Sequence, residues 1–215
     1  MSKVFLIPGL GADYRIYKNI DLAGYDVVNI GWIEPYREDT LATYAQKLID
    51  HYRIQPGDIV IGNSLGGMLA VEVAKKIILN KVILISSIKS IDEAPWYFDF
   101  FRKVHVYRAI PVKRLTLVEF IAEYTFGGMS NDDQHIFADM LKNTSPVFMK
   151  WAIEAILHWD NQIIPQNVYH ITGDKDKVFP YKNIKGATIV KGGTHVMIFN
   201  KSEEINKWLK NILPL

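Results

Sequence analysis

Short apolar segments alternate with longer amphipathic segments along most of this 215-residue chain. Runs of four to six residues rich in Val, Ile and Leu are typical of buried strands, whereas apolar residues recurring every three or four positions predict helices. Strands that alternate with helices form a parallel sheet covered by helices on both faces. The alternation therefore predicts an α/β fold, and the length fits one domain.

Six segments have the apolar character of buried strands. They are Lys3–Ile7, Tyr25–Ile30, Asp58–Gly62, Lys81–Ile85, Val168–Thr172 and Ala187–Lys191. Helical spacing and capping residues predict helices through Leu41–Ile49, with Asp39 or Thr40 as the cap, and over Leu65–Ile77 and Ser202–Ile212. The prediction is a six-stranded, mostly parallel sheet flanked by helices.

The alternation breaks after the fourth predicted strand. Residues 88–160 contain helical patterns, such as the one that begins at Ser145-Pro146, and no convincing strand. We therefore predict a core of residues 1–87 and 161–215, with a helical insertion over 88–160.

The insertion is rich in aromatic residues, with 13 of the 26 in the chain. Apolar ligands bind well in concave sites lined by aromatic side chains. The densest cluster supplies the candidates for a substrate pocket, Trp96, Tyr97, Phe100 and Phe101. The alternative is that these side chains only pack the insertion onto the sheet.

Composition excludes several classes of function. The 25 basic and 23 acidic residues leave a net charge of +2 without a basic run, which argues against a nucleic-acid partner. The absence of cysteine excludes disulfides, cysteine nucleophiles and cysteine-ligated zinc. Val4–Ile7 is too short for the core of a signal peptide, and no segment approaches the length of a membrane span. We predict a cytoplasmic protein without a membrane partner, metal or cofactor, and the sequence leaves its oligomeric state open.

Chemically useful residues follow three of the predicted strands. Gly62-Asn63-Ser64-Leu65-Gly66 follows the third strand, Gly173-Asp174-Lys175-Asp176 the fifth, and Gly192-Gly193-Thr194-His195 the sixth. In open parallel sheets, functional groups gather at the carboxyl ends of the strands. A serine, two aspartates and a histidine are therefore expected at one edge of the sheet.

Ser64 is the candidate nucleophile. A sharp strand-to-helix turn exposes a serine hydroxyl, and small residues two positions away on either side relieve crowding. The pattern alone is weak, because Gly and Ser at roughly 7% each produce it by chance in about one chain in fifteen of this length. Its position between a predicted strand and a predicted helix strengthens it. The unpaired N–H of Leu65 at the helix start can stabilise an oxyanion.

His195 is the candidate general base, which would accept the serine proton and pass it to the leaving group. A carboxylate has to orient this histidine. Asp176 is the preferred candidate, because Asp174 directly follows Gly173 and suits a turn-stabilising role. Asp174, and Asp92 or Glu93 after the fourth strand, remain alternatives.

These motifs resemble those of the α/β-hydrolase superfamily over nearly the whole chain. The matching segments are Val4–Gly11, Ile59–Ala70, Ile171–Pro180 and Gly192–Val196. The resemblance implies the sheet order 4-3-5-6-7-8 in family numbering and identifies residues 88–160 with the family's lid. It also matches Asp176 to the family's acid, His195 to its base, and the backbone N–H of Leu10 to its second oxyanion donor.

The chain departs from the family pattern in two respects. It has Pro8-Gly9 where many members have His-Gly, so the hydrogen bonds of that loop must differ. It also begins at what would be the family's third strand, so the usual N-terminal hairpin is expected to be absent.

The function expected from this resemblance is hydrolysis of a small, hydrophobic carboxylic ester or thioester by a serine esterase with an acyl-enzyme intermediate. Fold alone does not determine the reaction. A lyase or another non-hydrolytic enzyme of the same fold, and a slow-turnover protein that senses a ligand in the same pocket, are the alternatives.

Overall fold

The computed structural model describes residues 2–104 and 128–213, which are built around one six-stranded β-sheet. The strands are β1 (Lys3–Ile7), β2 (Asp26–Asn29), β3 (Ile59–Asn63), β4 (Lys81–Ile85), β5 (Val168–Gly173) and β6 (Thr188–Val190). Every pairing is parallel, and the order across the sheet is β2-β1-β3-β4-β5-β6. This is the predicted 4-3-5-6-7-8 order, in a sheet that is wholly rather than mostly parallel.

Helices flank the sheet on both faces. Those in the described residues are α1 (Leu41–Tyr52), α2 (Leu65–Ala74), α3 (Tyr97–Val104), α4 (Asn131–Asn143), α5 (Pro146–Leu157), α6 (Met197–Asn200) and α7 (Ser202–Ile212). Thr40 caps α1, since its hydroxyl accepts from the Thr43 N–H while the Thr43 hydroxyl accepts from the Thr40 N–H.

Successive strand residues point to opposite faces of the sheet, and this divides the core into two clusters. On one face, side chains of β1, β3 and β4 pack against α1, α2 and α5, and this cluster includes Phe5, Leu48, Leu69 and Phe148. On the other face they pack against α4, α6 and α7, and this cluster includes Ile61, Phe137 and Leu209. The central strands are therefore buried on both sides, and functional groups have to come from the ends of the strands.

The predicted strand bounds agree with the observed ones to within one residue at each end. The predicted end of α2 at Ile77 is wrong, because the helix ends at Ala74. The Lys76 amide bonds to the carbonyl of Val73, only three residues back, so the last turn tightens and stops.

Between β4 and β5, the described residues form α3, α4, α5 and a 3-10 turn at Ile91–Glu93, and no strand. Residues 105–127, in the middle of the predicted insertion, lie outside the described residues.

His170 on β5 is a buried ionisable group, which makes the stability of the fold depend on pH. Burial, and secondarily the charge of Lys89, lower its pKa from 6.5 to about 3. The unfolded chain therefore takes up a proton below pH 6.5, whereas folded His170 does so only near pH 3. Buried, neutral His170 therefore does not lower the free energy of unfolding above pH 6.5, but this free energy decreases as the pH falls from 6.5 toward 3.

We expect His170→Gln to reduce the acid sensitivity of the protein. At pH 4.5 the histidine should cost about 3 kcal/mol relative to neutral pH, because the gap of about two pKa units corresponds to that energy. Urea unfolding at pH 7 and pH 4.5 measures the difference. Thr172→Val is the matched control, since Thr172 is also buried on β5 but carries no ionisable group. An unchanged loss of stability in the His170 variant would contradict the expectation.

Candidate active site

Ser64 is the single residue between β3 and α2, and its backbone is strained. Its φ of 52° and ψ of −118° lie in a region that residues with a side chain rarely adopt. Its N–H donates to the carbonyl of Ile85 at the end of β4, at 3.0 Å, and its carbonyl accepts from the amides of Gly67 and Met68 at the start of α2. The turn is therefore anchored to the neighbouring strand and to the helix.

The glycines of this turn are required by close backbone contacts. A methyl group at Gly62 would lie 2.1 Å from the carbonyl oxygen of Gly66, and one at Gly66 would lie 2.1 Å from the carbonyl oxygen of Ile7. Backbone atoms cannot move away without disturbing the sheet. The turn is thus packed against the end of β1, where the Leu10 loop begins.

Ser64, His195 and Asp176 form a continuous chain of hydrogen bonds. The Nε2 atom of His195 is 2.9 Å from the Oγ of Ser64, and its Nδ1 atom is 2.9 Å from Oδ2 of Asp176. An ionised carboxylate only accepts, so Nδ1 carries the proton and Nε2 is left to accept from the serine hydroxyl. This arrangement suits transfer of the serine proton to the imidazole.

The Asp176 side chain is fully buried, and its second oxygen is also satisfied. Its Oδ1 accepts from the backbone amides of Val178 and Phe179 at 2.9 and 2.8 Å. The Phe179 ring meets the His195 imidazole edge-on, with 5.4 Å between centroids. These contacts fix both the carboxylate and the imidazole.

Contact between two glycines brings the aspartate and histidine loops together. A methyl group on Gly173 at the end of β5 would lie 2.0 Å from the carbonyl oxygen of Gly193. That same carbonyl accepts from the Lys175 amide at 2.9 Å. Only residues without side chains allow this approach, and it brings Asp176 within reach of His195.

The alternative acids occupy other positions. The Asp174 carboxylate accepts from the Gly192 amide at 2.6 Å and so stabilises the turn between the two loops. Asp92 is exposed. Glu93 is buried in an ion pair with Lys89 and also accepts from the Lys185 amide. Among these carboxylates, only Asp176 contacts His195.

The two expected oxyanion donors lie on segments that pack together. Leu65 is the first residue of α2, and Leu10 follows Gly9, where a methyl group would lie 3.3 Å from the Cβ of Ser64. Within the described part of the chain, the amide nitrogens of Leu10 and Leu65 have no acceptor. Both N–H groups are therefore available to a ligand.

Other hydrogen bonds hold the Leu10 loop, as its departure from the His-Gly pattern requires. The buried Tyr17 hydroxyl donates to the carbonyl of Ile7 at 2.7 Å, directly before Pro8, and the carbonyl of Gly9 accepts from the Ala12 amide. Burial raises the pKa of Tyr17 well above its ordinary value, so the hydroxyl remains protonated and able to donate.

The four aromatic residues predicted for a substrate pocket are in different environments. Trp96 and Phe100 are 79% and 51% exposed. Tyr97 and Phe101 are half-buried and pack against each other edge-on. The Tyr97 hydroxyl donates to the carbonyl of Val178 in the loop that carries Asp176. Of the four, Tyr97 therefore has a direct contact with that loop.

Sequence reasoning missed Ser87, which contacts the strained turn. Its hydroxyl donates to the carbonyl oxygen of Ser64 at 2.7 Å. The available signal was the pair Ser86-Ser87 directly after the fourth strand, since β4 lies beside β3 in the sheet. Phe179, which packs on His195, was also missed.

No three His, Asp or Glu side chains in residues 2–104 and 128–213 form a group that could hold a metal ion. The helices in the same part of the chain are all too short or too polar to span a bilayer.

Comparison with known proteins relates the chain to one large family. A sequence model of the alpha/beta hydrolase family matches residues 3–208. No curated protein matches the chain in sequence.

Solved structures share the fold at low sequence identity. An esterase from Exiguobacterium antarcticum is 15% identical, with a TM-score of 0.74 over 98% of this chain and 91% of the esterase. A thermophilic esterase from Thermogutta terrifontis is 16% identical, with a TM-score of 0.68 over 99% of this chain and 90% of its own. A bromoperoxidase from Bacillus anthracis is 18% identical, with a TM-score of 0.69 over 99% and 92%. Proteins named for different activities thus share this architecture.

Proposed function

The chain belongs to the α/β-hydrolase family, and from this premise we propose that it is a serine hydrolase that cleaves a small, hydrophobic carboxylic ester or thioester. The observation that carries the proposal is the unbroken hydrogen-bond chain from Ser64 through His195 to buried Asp176. Such a chain activates an otherwise weak hydroxyl nucleophile.

The proposed reaction has two steps. The Oγ atom of Ser64 attacks the carbonyl carbon while His195 Nε2 accepts its proton, and the N–H groups of Leu10 and Leu65 stabilise the oxyanion. The bond to the leaving group then breaks, and His195 passes its proton to the departing alkoxide or thiolate. Water attacks the acyl-enzyme with His195 again as base, which releases the carboxylic acid and restores the Ser64 hydroxyl. Asp176 stabilises the imidazolium in both steps.

The direct test combines covalent labelling with ester turnover. We expect a fluorophosphonate probe to label the folded protein once, at Ser64, and nitrophenyl acetate, butyrate and hexanoate to be hydrolysed. Absence of labelling would contradict an activated serine. Labelling with negligible turnover of the esters would favour the non-hydrolytic or ligand-sensing alternatives, which the fold also accommodates.

We further propose that the helical insertion 88–160 acts as a lid over this site. Two contacts support the proposal. The Tyr97 hydroxyl of α3 donates to the Val178 carbonyl, next to the amide that binds Asp176. On the opposite side, a methyl group at Gly11 would lie 2.3 Å from Leu141 of α4, so that helix touches the loop of the oxyanion donor. The insertion thus contacts the loops on both sides of the nucleophile.

Tyr97→Phe tests whether α3 supports the acid loop. Loss of the hydroxyl leaves a partly buried carbonyl without its donor, which costs about 1–3 kcal/mol. Because that carbonyl belongs to the loop that holds Asp176, we expect kcat to fall roughly fivefold and the midpoint of thermal unfolding to decrease. Val104→Ala is the matched control at the exposed end of α3 and should leave both unchanged. Equal behaviour of the two variants would contradict a supporting role for Tyr97.

A further inference from the structure

Ser87 contacts the turn that carries Ser64. It is fully buried, two residues beyond the end of β4, and its hydroxyl donates to the carbonyl oxygen of Ser64 at 2.7 Å. A methyl group on Gly67 would lie 2.4 Å from the same hydroxyl oxygen. The first turn of α2 therefore accommodates this hydroxyl only because residue 67 is glycine.

The carbonyl that Ser87 binds belongs to the same peptide unit as the Leu65 N–H. A trans peptide is planar, and its C=O and N–H point in opposite directions. Holding the carbonyl oxygen therefore sets the direction of the N–H. This matters at Ser64, because its positive φ is not a conformation that the backbone would maintain without support.

The other donors to this carbonyl do not anchor the peptide to any element outside α2. The amides of Gly67 and Met68 bond to it at 2.9 and 3.3 Å, but both belong to α2 and move with that helix. Ser87 follows β4, a central strand of the sheet, so it connects the peptide to a rigid neighbouring element. Its other acceptor, the carbonyl of Ile88, is much more distant at 3.5 Å.

We propose that Ser87 is a positioning residue for the oxyanion site: its hydroxyl holds the Ser64–Leu65 peptide so that the Leu65 N–H faces the developing negative charge. A hydrogen bond to the carbonyl also polarises the peptide and strengthens its N–H as a donor. The inference rests on the proposed function and adds to it a residue that does not touch the substrate.

The test is Ser87→Ala, compared with Ser86→Ala in the same assays. Loss of an oxyanion donor typically lowers kcat by about 10²–10³. In Ser87→Ala the Leu65 N–H is still present but less firmly positioned, so kcat should fall less, by roughly tenfold. We expect that fall in kcat with KM within about twofold, since the interaction strengthens in the transition state. The inhibition constant of a trifluoromethyl ketone, whose serine adduct bears an oxyanion, should rise by the same factor of roughly ten.

Ser86→Ala is a close control, because Ser86 is adjacent and buried but its hydroxyl has no hydrogen-bond partner among the described residues. It should leave kcat and inhibition unchanged. Ser87→Cys replaces the hydroxyl with a somewhat larger thiol that is a weaker donor, and it should fall between wild type and Ser87→Ala. It decides the question if the alanine variant does not fold.

The outcomes separate this inference from the proposed function. If Ser64→Ala is inactive while Ser87→Ala or Ser87→Cys matches Ser86→Ala, Ser87 has no positioning role and the hydrolase proposal stands. Loss of thermal stability without a change in the inhibition constant also overturns the inference, because it indicates a purely structural contact. An active Ser64→Ala variant overturns both.

Discussion

Replacement of Ser64 with alanine is expected to lower kcat for ester hydrolysis by on the order of 10⁶, which would leave only traces of activity. The variant has no group that can form an acyl-enzyme, and His195 has no hydroxyl from which to accept a proton. Substrate binding should change little, because the substitution removes a single oxygen atom. Steady-state hydrolysis of nitrophenyl butyrate measures the loss of kcat. Fluorophosphonate labelling measures the loss of the nucleophilic hydroxyl.

The control for this substitution is Ser202→Ala. Ser202 is the first residue of α7, which packs on the opposite face of the sheet from α2. It should retain full activity and labelling. His195→Ala should be nearly as inactive as Ser64→Ala, and the double variant little worse than either, because the two groups act as a unit. Additive losses would be inconsistent with a shared proton-transfer step.

Substitution of Asp176 by asparagine is expected to lower kcat by about 10⁴ while the protein stays folded. The existing contacts determine how the new amide would sit. Its oxygen would continue to accept from the Val178 and Phe179 amides, which now bind Oδ1. Its NH₂ group would therefore face Nδ1 of His195. That nitrogen would become an acceptor, the proton would move to Nε2, and the imidazole could no longer accept from Ser64.

Asp174→Asn is the matched control, two residues away in the same loop. An asparagine oxygen can still accept from the Gly192 amide that Asp174 binds, so kcat should stay within about twofold of wild type. The comparison decides which aspartate is the acid. Near-wild-type kcat in the Asp176 variant together with a large loss in the Asp174 variant would reverse the assignment.

Much of the fold could be predicted because the relevant signals are local. The strands β1, β3, β4 and β5 are short apolar segments, and strand-helix alternation restricts them to a parallel sheet. The end of α2 could not be predicted to the residue, since apolar spacing continues to Ile77 while the helix ends at Ala74, where the Lys76 amide bonds only three residues back, to Val73. Helix ends depend on competition between backbone acceptors, which a side-chain pattern does not report.

The part of the site that a local turn sequence specifies could be predicted. The Gly62–Gly66 motif predicts a serine between a strand and a helix, and the structure has Ser64 there, with the positive φ that such a turn requires. Exposure of the aromatic residues in the insertion was not predictable. Trp96 and Phe100 belong to the same aromatic cluster as Tyr97, yet both are exposed. Trp96 precedes α3, and Phe100 lies at a different position around that helix from the half-buried Tyr97 and Phe101.

The sequence by itself determined the strand and helix segments and the serine turn, because each depends on neighbours along the chain. Strand-helix alternation then implies a parallel sheet whose strand ends carry the serine, the aspartates and the histidine at one edge, whereas the strand order was implied by the family resemblance. Sequence reasoning preferred Asp176 but left Asp174, Asp92 and Glu93 open, and the tertiary structure shows that Asp176 contacts His195, through the approach of Gly173 to Gly193. The tertiary structure also decided that Ser87 would bind the Ser64 carbonyl, 23 residues away in sequence. Such contacts arise where different strands end side by side, and no local pattern encodes that proximity.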